Sequence, residues 1–408
     1  MQNKEAKIYK LCNNLRVVVK QREGLVSYIG ILVNAGSRDE NSEHEGLAHF
    51  VEHTIFKGTD KRRDWQISSR METVGGELNA YTSKEETMVY TNSPIGYEDR
   101  ALELLADLVT SSRFPSNEID KEREVIIEEI YSYLDSPSER IYDEFEELAY
   151  KGCDLAHNIL GSPESVMKIK SEDCRNFLDA FYKPENMVVY CVTPLPEEKI
   201  LKKVEKYFGA IPDSKVIHQR HTPSPLEYFD ELRDHGSHQA NTIMGTRAFS
   251  RKDERRFALY LLNNYLGGPC LNSRLNRELR EKRGYVYTVD SNVGLLSDTG
   301  LFMIYFGCDP KNIKKCRHII DNQINSLCEN RLSGPAFEKV KRQYCGQLLA
   351  SSDQIENRAM ALSKSLLYFD HVYDIDTTIK RIMEVSAEEM RQVAQDLFAH
   401  GLSTLTLV

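Results

Sequence analysis

Apolar and polar positions alternate over residues 15–20 (Leu-Arg-Val-Val-Val-Lys) after an Asn13-Asn14 turn, and a second apolar run fills residues 28–33 before Ala35-Gly36-Ser37. Both patterns predict strands. A helix is expected next. Ser42 and Glu45 have the S-x-x-E spacing of a capping box, Leu47, Phe50, Val51 and Ile55 supply apolar packing positions, and Gly58 supplies a stop. Residues 75–82 and 86–91 read as paired strands. Residues 97–111 read as a helix with Leu102, Leu105, Ala106 and Val109 on one side. A charged helical region follows over residues 117–150, broken at Ser136-Pro137-Ser138. A buried strand at 187–193 and an amphipathic helix at 196–208 close this half.

The pattern then stops and restarts. Residues 211–225 are polar, marked by proline and without period, which is the composition of a linker. After it come a strand at 242–245, a helix at 254–266 and a strand pair at 285–292 and 300–307. Helices follow at 311–330, 334–350, 354–367 and 387–398, then a last strand at 403–408. The same succession of elements thus appears twice, each time over roughly 200 residues. The expected fold is α+β, with two similar sheet-plus-helix domains around a cleft. The expected division is a domain at 1–212, a linker at 213–225 and a second domain at 226–408.

Composition narrows the classes. The chain has 408 residues, 41% apolar and 28% charged, which suits two globular domains. A net charge of −9 argues against nucleic acid as the main partner. The nine cysteines are odd in number, scattered and without a C-x-x-C pair, so they read as free thiols rather than a disulfide framework or a cysteine metal site. No apolar run approaches the length of a membrane span, and the first residues carry no signal-like apolar stretch, so a cytoplasmic protein is expected.

The chemistry begins at His49-Phe50-Val51-Glu52-His53. Residues four apart on a helix lie one above the other, so both imidazoles can reach one metal ion. Glu52 sits one position round, beside the open coordination site, where a general base for amide hydrolysis belongs. The order H-x-x-E-H is that of the inverted zinc peptidases. The second half has no such motif. Its corresponding helix reads Phe257-Ala-Leu-Tyr-Leu-Leu-Asn-Asn-Tyr. His44 falls off the metal face, and His218, His221, His235 and His238 read as residues of a solvated loop.

A catalytic zinc takes three protein ligands. The source of the third is the acidic stretch Glu122-Arg-Glu-Val-Ile-Ile-Glu128-Glu129, in which Glu122 and Glu129 share a helical face with Ile126 between them. The H-x-x-E-H helix, this E-R-x-V-I-x-E-E helix and the Gly75-Gly76-Glu-Leu-Asn-Ala-Tyr-Thr82 strand between them resemble the pitrilysin family of zinc metallopeptidases. The length resembles its half-length branch, which includes mitochondrial processing peptidase subunits and bacterial zinc peptidases.

The resemblance implies a zinc endopeptidase with one Zn²⁺ per chain. Its third ligand falls 76 residues after the second histidine, on Glu129, with Glu128 as the alternative. Glu122 matches the supporting acid. Arg280 and Tyr287 match the residues that hold substrate, with Arg283 and Tyr285 as alternatives, and Tyr287 would donate to the developing oxyanion. The strand residues Gly76, Glu77, Leu78, Asn79, Ala80 and Thr82 are implied to bind an unfolded peptide by strand addition, the glycines letting it approach closely. Members of this length generally pair, so a homodimer or a heterodimer with a related inactive subunit is expected. A non-catalytic peptide-binding or scaffold subunit is the other reading.

Overall fold

The strand Met187–Thr193 has no exposed residue along its length because both of its faces are covered. Met187, Val189 and Cys191 enter one apolar cluster, while Val188, Tyr190 and Val192 enter another. Period-two alternation puts successive side chains on opposite faces, so a continuous apolar run is what a doubly covered strand requires. The computed structural model describes residues 5–408 and builds two sheets of this kind.

The strands are β1 (Lys7–Lys10), β2 (Arg16–Gln21), β3 (Val26–Val33), β4 (Glu77–Thr82), β5 (Thr87–Pro94), β6 (Met187–Thr193), β7 (Asp230–Arg233), β8 (Ala240–Ala248), β9 (Val286–Leu295), β10 (Gly300–Cys308) and β11 (Ser403–Leu407). The first sheet runs β1-β2-β6-β3-β5-β4 and the second β7-β11-β8-β10-β9. Leaving out β1, the two orders correspond strand for strand. The β2–β6 and β7–β11 pairs are parallel, and the neighbouring pairs in both sheets are antiparallel. The expected duplication is therefore present in the topology, and the fold is α+β with two similar halves.

Two compact units result, and neither is one continuous stretch of chain. The first holds residues up to Tyr131, His157–His221 and Ser352–Asp374. The second holds Ser132–Ala156, Thr222–Ser351 and Ile375–Val408. Each sheet has one face covered by a helix borrowed from the other half of the sequence. Helix Ile355–Phe369 lays Ala359, Leu362, Leu366 and Leu367 on the even-numbered face of β6. Helix Pro137–Ala149 lays Ile141, Phe145 and Ala149 on Ile243, Leu301, Met303 and Leu405. Division of the sequence at the linker does not anticipate this exchange, because periodicity reports which face of a helix is buried and not which sheet it covers.

Several elements lie outside the expected set. Helix Asp64–Glu72 buries only Ile67 and Met71, so its apolar stripe is faint, whereas helix Ile375–Glu384 carries Ile375, Ile379 and Ile382 at helical spacing and is absent from the expected set all the same. Helix Ser171–Phe181 and the charged four-residue strand β7 were likewise not signalled. The expected solvated loop is corrected at His218, which stacks on Phe181 and reaches Asp39 (2.7 Å) and Asn186 (3.0 Å). Arg220 beside it bonds Asp39 through two nitrogens, at 2.9 and 2.6 Å. A polar, proline-flanked segment can be packed when its partners are charges rather than apolar surface.

The register of the first sheet explains Gly30. It stands opposite Tyr190 in the β3–β6 ladder, and a Cβ there would lie 2.5 Å from the tyrosine ring. Gly30→Ala is expected to lower stability by about 1–3 kcal/mol through overpacking. Denaturant melts of the variant against the parent check this, and an unchanged midpoint would show that the ring is free to move aside.

Candidate active site

The motif helix is Leu47–Thr54. Its start corrects the expected capping box. Ser42 and Glu45 lie in the preceding turn, and the cap position is Gly46, with φ +92°. A side chain there would be strained by the left-handed backbone and would meet the Leu160 carbonyl oxygen at 2.5 Å. The free helix N–H groups are satisfied from further back. The Glu40 carboxylate accepts from Gly46 N (2.8 Å) and Ala48 N (2.6 Å), and lies 3.0 Å from His157 Nε2. Burial raises the Glu40 pKa, against the bonds from His157, Ala48 and Gly46. The helix also ends before Gly58, with Thr54 its last residue.

Leu47, Ala48, Phe50 and Val51 are buried in the first core, which turns His49, Glu52 and His53 to the other side of the helix. Facing them is the acidic helix Ser116–Leu134, with Glu122, Ile126 and Ile130 buried. Ile126 enters the same core as Phe50, and the carboxylates on either side of it reach the imidazoles. Glu129 Oε2 lies 3.8 Å from His49 Nε2 and 3.5 Å from His53 Nε2. Donors from His49, His53 and Glu129 all lie within 4.8 Å of one another. Ligands at 2.0–2.2 Å from a tetrahedral zinc are separated by roughly 3.3–3.6 Å, so this donor set fits such an ion. Glu128 is exposed and is not in the cluster.

Around the donors lies a second layer. Glu122 Oε1 is 3.0 Å from His53 Nδ1, and its Oε2 is 2.6 Å from Lys57 Nζ. A proton on Nδ1 leaves the Nε2 lone pair directed at the cluster. His49 has no such support, and its Nδ1 is buried without a hydrogen-bond partner among the described residues. Thr82 on β4 lies close enough to Glu52 to favour its charged form.

The electrostatics follow from burial and crowding. Burial, with His53 nearby, drives His49 down to about 3, so it is a neutral imidazole at physiological pH. Burial works in the same direction on His53, but the Glu122 bond and the charges of Glu52, Glu122 and Glu129 outweigh it and raise the pKa. Burial raises Glu52, with Thr82 and His53 opposing. Burial also opposes ionisation of Glu122, but the bonds from His53 and Lys57 prevail and lower its pKa. Three carboxylates converging on two imidazoles are an environment that favours a cation.

Among the described residues strand β4 is the outer strand of its sheet and pairs with β5 alone. Leu78 and Ala80 pack toward the core, while Glu77 and Asn79 are exposed. Gly76 makes its close approach to the neighbouring strand, where a Cβ would meet the Asn92 carbonyl oxygen at 2.5 Å. Gly75, at φ +75°, makes the turn. Arg280 and Tyr287 belong to the second unit. Arg280 is near the end of a π-helical turn, Asn276–Glu281, and its guanidinium lies 5.9 Å from the centre of the Tyr287 ring, which is 79% exposed. Sequence reasoning missed Glu40 and Lys57. The signal for Lys57 was its place four residues after His53, opposite an acidic stripe that needs a counter-charge.

The fold is that of M16-type peptidase structures. A protease from Helicobacter pylori matches with a TM-score of 0.92 at 22% identity over 100% of both chains. A putative M16-like peptidase from Alicyclobacillus acidocaldarius matches at 0.84 and 21%, over 99% of this chain and 98% of that one. The model of the insulinase family (peptidase family M16) matches residues 16–163, and that of the peptidase M16 inactive domain matches residues 168–344. The chain belongs to peptidase family M16. It is 31% identical over 400 residues to a Streptomyces coelicolor protein named an uncharacterized zinc protease, covering 95% of this chain and 86% of that one. It is 29% identical over 395 residues to the uncharacterized zinc protease YmxG of Bacillus subtilis, covering 96% and 95%.

Glu40→Ala is expected to cost about 2–4 kcal/mol, because it leaves the N–H groups of Gly46 and Ala48 without their acceptor. Ser42→Ala, at the expected but unused cap, should stay within about 0.5 kcal/mol of the parent. Thermal melts of the two variants side by side check the pair of expectations.

Proposed function

We propose that this protein is a zinc-dependent endopeptidase that cleaves unfolded or short peptides. The observation that carries the reading is the cluster of His49, His53 and Glu129 donors beside Glu52. In this reading those three residues hold one zinc ion and Glu122 fixes the ring of His53. When bound, zinc supplies a Lewis acid for the scissile carbonyl and a water of lowered pKa. Glu52 would serve as the base that accepts a proton from the attacking water and as the acid that returns it to the leaving amine. A carboxylate raised by burial is suited to both halves of that transfer.

The open edge of β4 offers main-chain donors and acceptors to an extended peptide, with Glu77 and Asn79 exposed beside it. Backbone pairing selects little among side chains, which is why unfolded peptides are the proposed substrates. Arg280 and Tyr287 are assigned to holding substrate, with the Tyr287 hydroxyl donating to the oxyanion. Pairing with a second copy or a related inactive subunit, and a cytoplasmic location, complete the proposal. Among the described residues no helix is long and apolar enough to cross a membrane.

A non-catalytic subunit is the second reading, and the match of residues 168–344 to a domain described as inactive favours it to that extent. That match leaves out the half that carries His49, Glu52, His53 and Glu129.

Cleavage of an internally quenched peptide by purified protein tests the proposal. Chelation should abolish it, zinc should restore it, and Glu52→Gln should lower it by roughly 10²–10⁴-fold. Activity that survives Glu52→Gln would remove Glu52 from its role. A zinc-loaded protein that cuts nothing would favour the non-catalytic reading.

A further inference from the structure

We infer that Lys57 is a positioning residue for the metal centre, acting through Glu122; the inference rests on the zinc reading above. Lys57 lies in the turn that closes the motif helix, where its backbone N–H bonds the Thr54 carbonyl. Its ammonium reaches Glu122 Oε2 at 2.6 Å, while the other oxygen of that carboxylate lies 3.0 Å from His53 Nδ1. The Glu122 side chain is only 10% exposed. Both of its oxygens are therefore committed, one to the imidazole and one to the lysine.

The double commitment has two effects. It stops the carboxylate from rotating away from Nδ1, which keeps the His53 ring oriented with Nε2 toward Glu129, 3.5 Å away. It also keeps Glu122, an acid two helical turns from Glu129 on the same face, from competing as a ligand itself. The donor set is then restricted to His49, His53 and Glu129, and a position stays open for water or substrate.

Charge alone makes the opposite prediction, so the two explanations separate. A lysine near a dication repels it, and removing that lysine would tighten metal binding if its charge were all that mattered. If Lys57 positions Glu122, removing it weakens binding. A lysine that merely complements the end of a helix would shift the melting curve and leave zinc affinity alone.

The experiment is zinc affinity of the full chain, measured by competition with a chromogenic chelator, for the parent, Lys57→Met, Lys57→Arg, Glu122→Gln and the Lys57→Met/Glu122→Gln double variant. Melts of the zinc-free proteins verify folding. Lys57→Met should bind zinc about tenfold more weakly, at the low end of the 10–100-fold range for groups that support a ligand. Lys57→Arg, which still offers a donor, should recover most of that loss. In the Glu122→Gln background the lysine substitution should add nothing, since its partner is gone. Unchanged or tighter binding by Lys57→Met overturns the inference, and so does an equal loss in the Glu122→Gln background. A parent protein that binds no zinc overturns the underlying reading together with this one, whereas normal zinc binding by Lys57→Met overturns this one alone.

Discussion

Two carboxylates reach two imidazoles because Ile126 is buried between them. Glu122, Ile126 and Glu129 follow one another on a single helical face, and Ile126 is fully buried in the core that also holds Phe50 and Val51. Burial of Ile126 in that core turns this face of the acidic helix toward the motif helix. Each neighbour then inherits its place. Glu122 lies one turn toward the helix start, at His53 Nδ1, and Glu129 lies one turn further on, between the two Nε2 atoms. The hydrophobic effect has no direction of its own. Through Ile126 it nevertheless helps to bring the His49, His53 and Glu129 donors within 4.8 Å of one another.

The cost of that delivery is crowding. Glu52, Glu122 and Glu129 surround two rings, and taking ionised groups out of water costs several kcal/mol each. The protein answers with groups from three separate elements. His53 belongs to the motif helix, Lys57 comes from the turn after it, and Thr82 comes from β4. The offset prevails at Glu122, whose pKa is lowered, but not at Glu52, which burial still holds above the ordinary carboxylate range. A cluster left with excess negative charge is poorly arranged for stability and well arranged for a cation. The helix that carries it is secured elsewhere, by Glu40 at its N-terminus and by the apolar face of Leu47, Phe50 and Val51.

Much of this was legible in the sequence, and the parts that were not share a cause. Strands β3, β5, β6 and β10, the paired helices of the second half and the repeat itself follow from local periodicity. The pairing of His49 with His53 follows from helical spacing alone. Glu40 and Lys57 could not be read this way. Glu40 caps a helix from six and eight residues upstream, across a turn whose course depends on Gly46 meeting Leu160. A local S-x-x-E pattern was available and was not used. The exchange of helices Pro137–Ala149 and Ile355–Phe369 was equally invisible, because each has an ordinary amphipathic pattern that would suit either sheet. Local chemistry fixes what an element is, and tertiary contacts decide what it serves.

The second unit shows what the same topology becomes without the site. Between β3 and β4 the chain forms the motif helix, and between β8 and β9 it forms helix Arg256–Gly267. The latter buries Phe257, Leu259, Leu261, Leu262 and Leu266, with no imidazole among them. In the place of the acidic helix stands Gly334–Ser352, of the same length, which buries Phe337, Val340 and Cys345. Its one buried charge, Lys341, is spent on the carbonyls of Met383 and Val385 at a helix end. Two helices that in one unit hold converging acids and imidazoles hold apolar side chains in the other. The strand order that surrounds them is unchanged. The polar cluster is therefore not something this fold needs in order to form. Its presence in one copy, at the energetic disadvantage that buried acids impose, is not accounted for by folding.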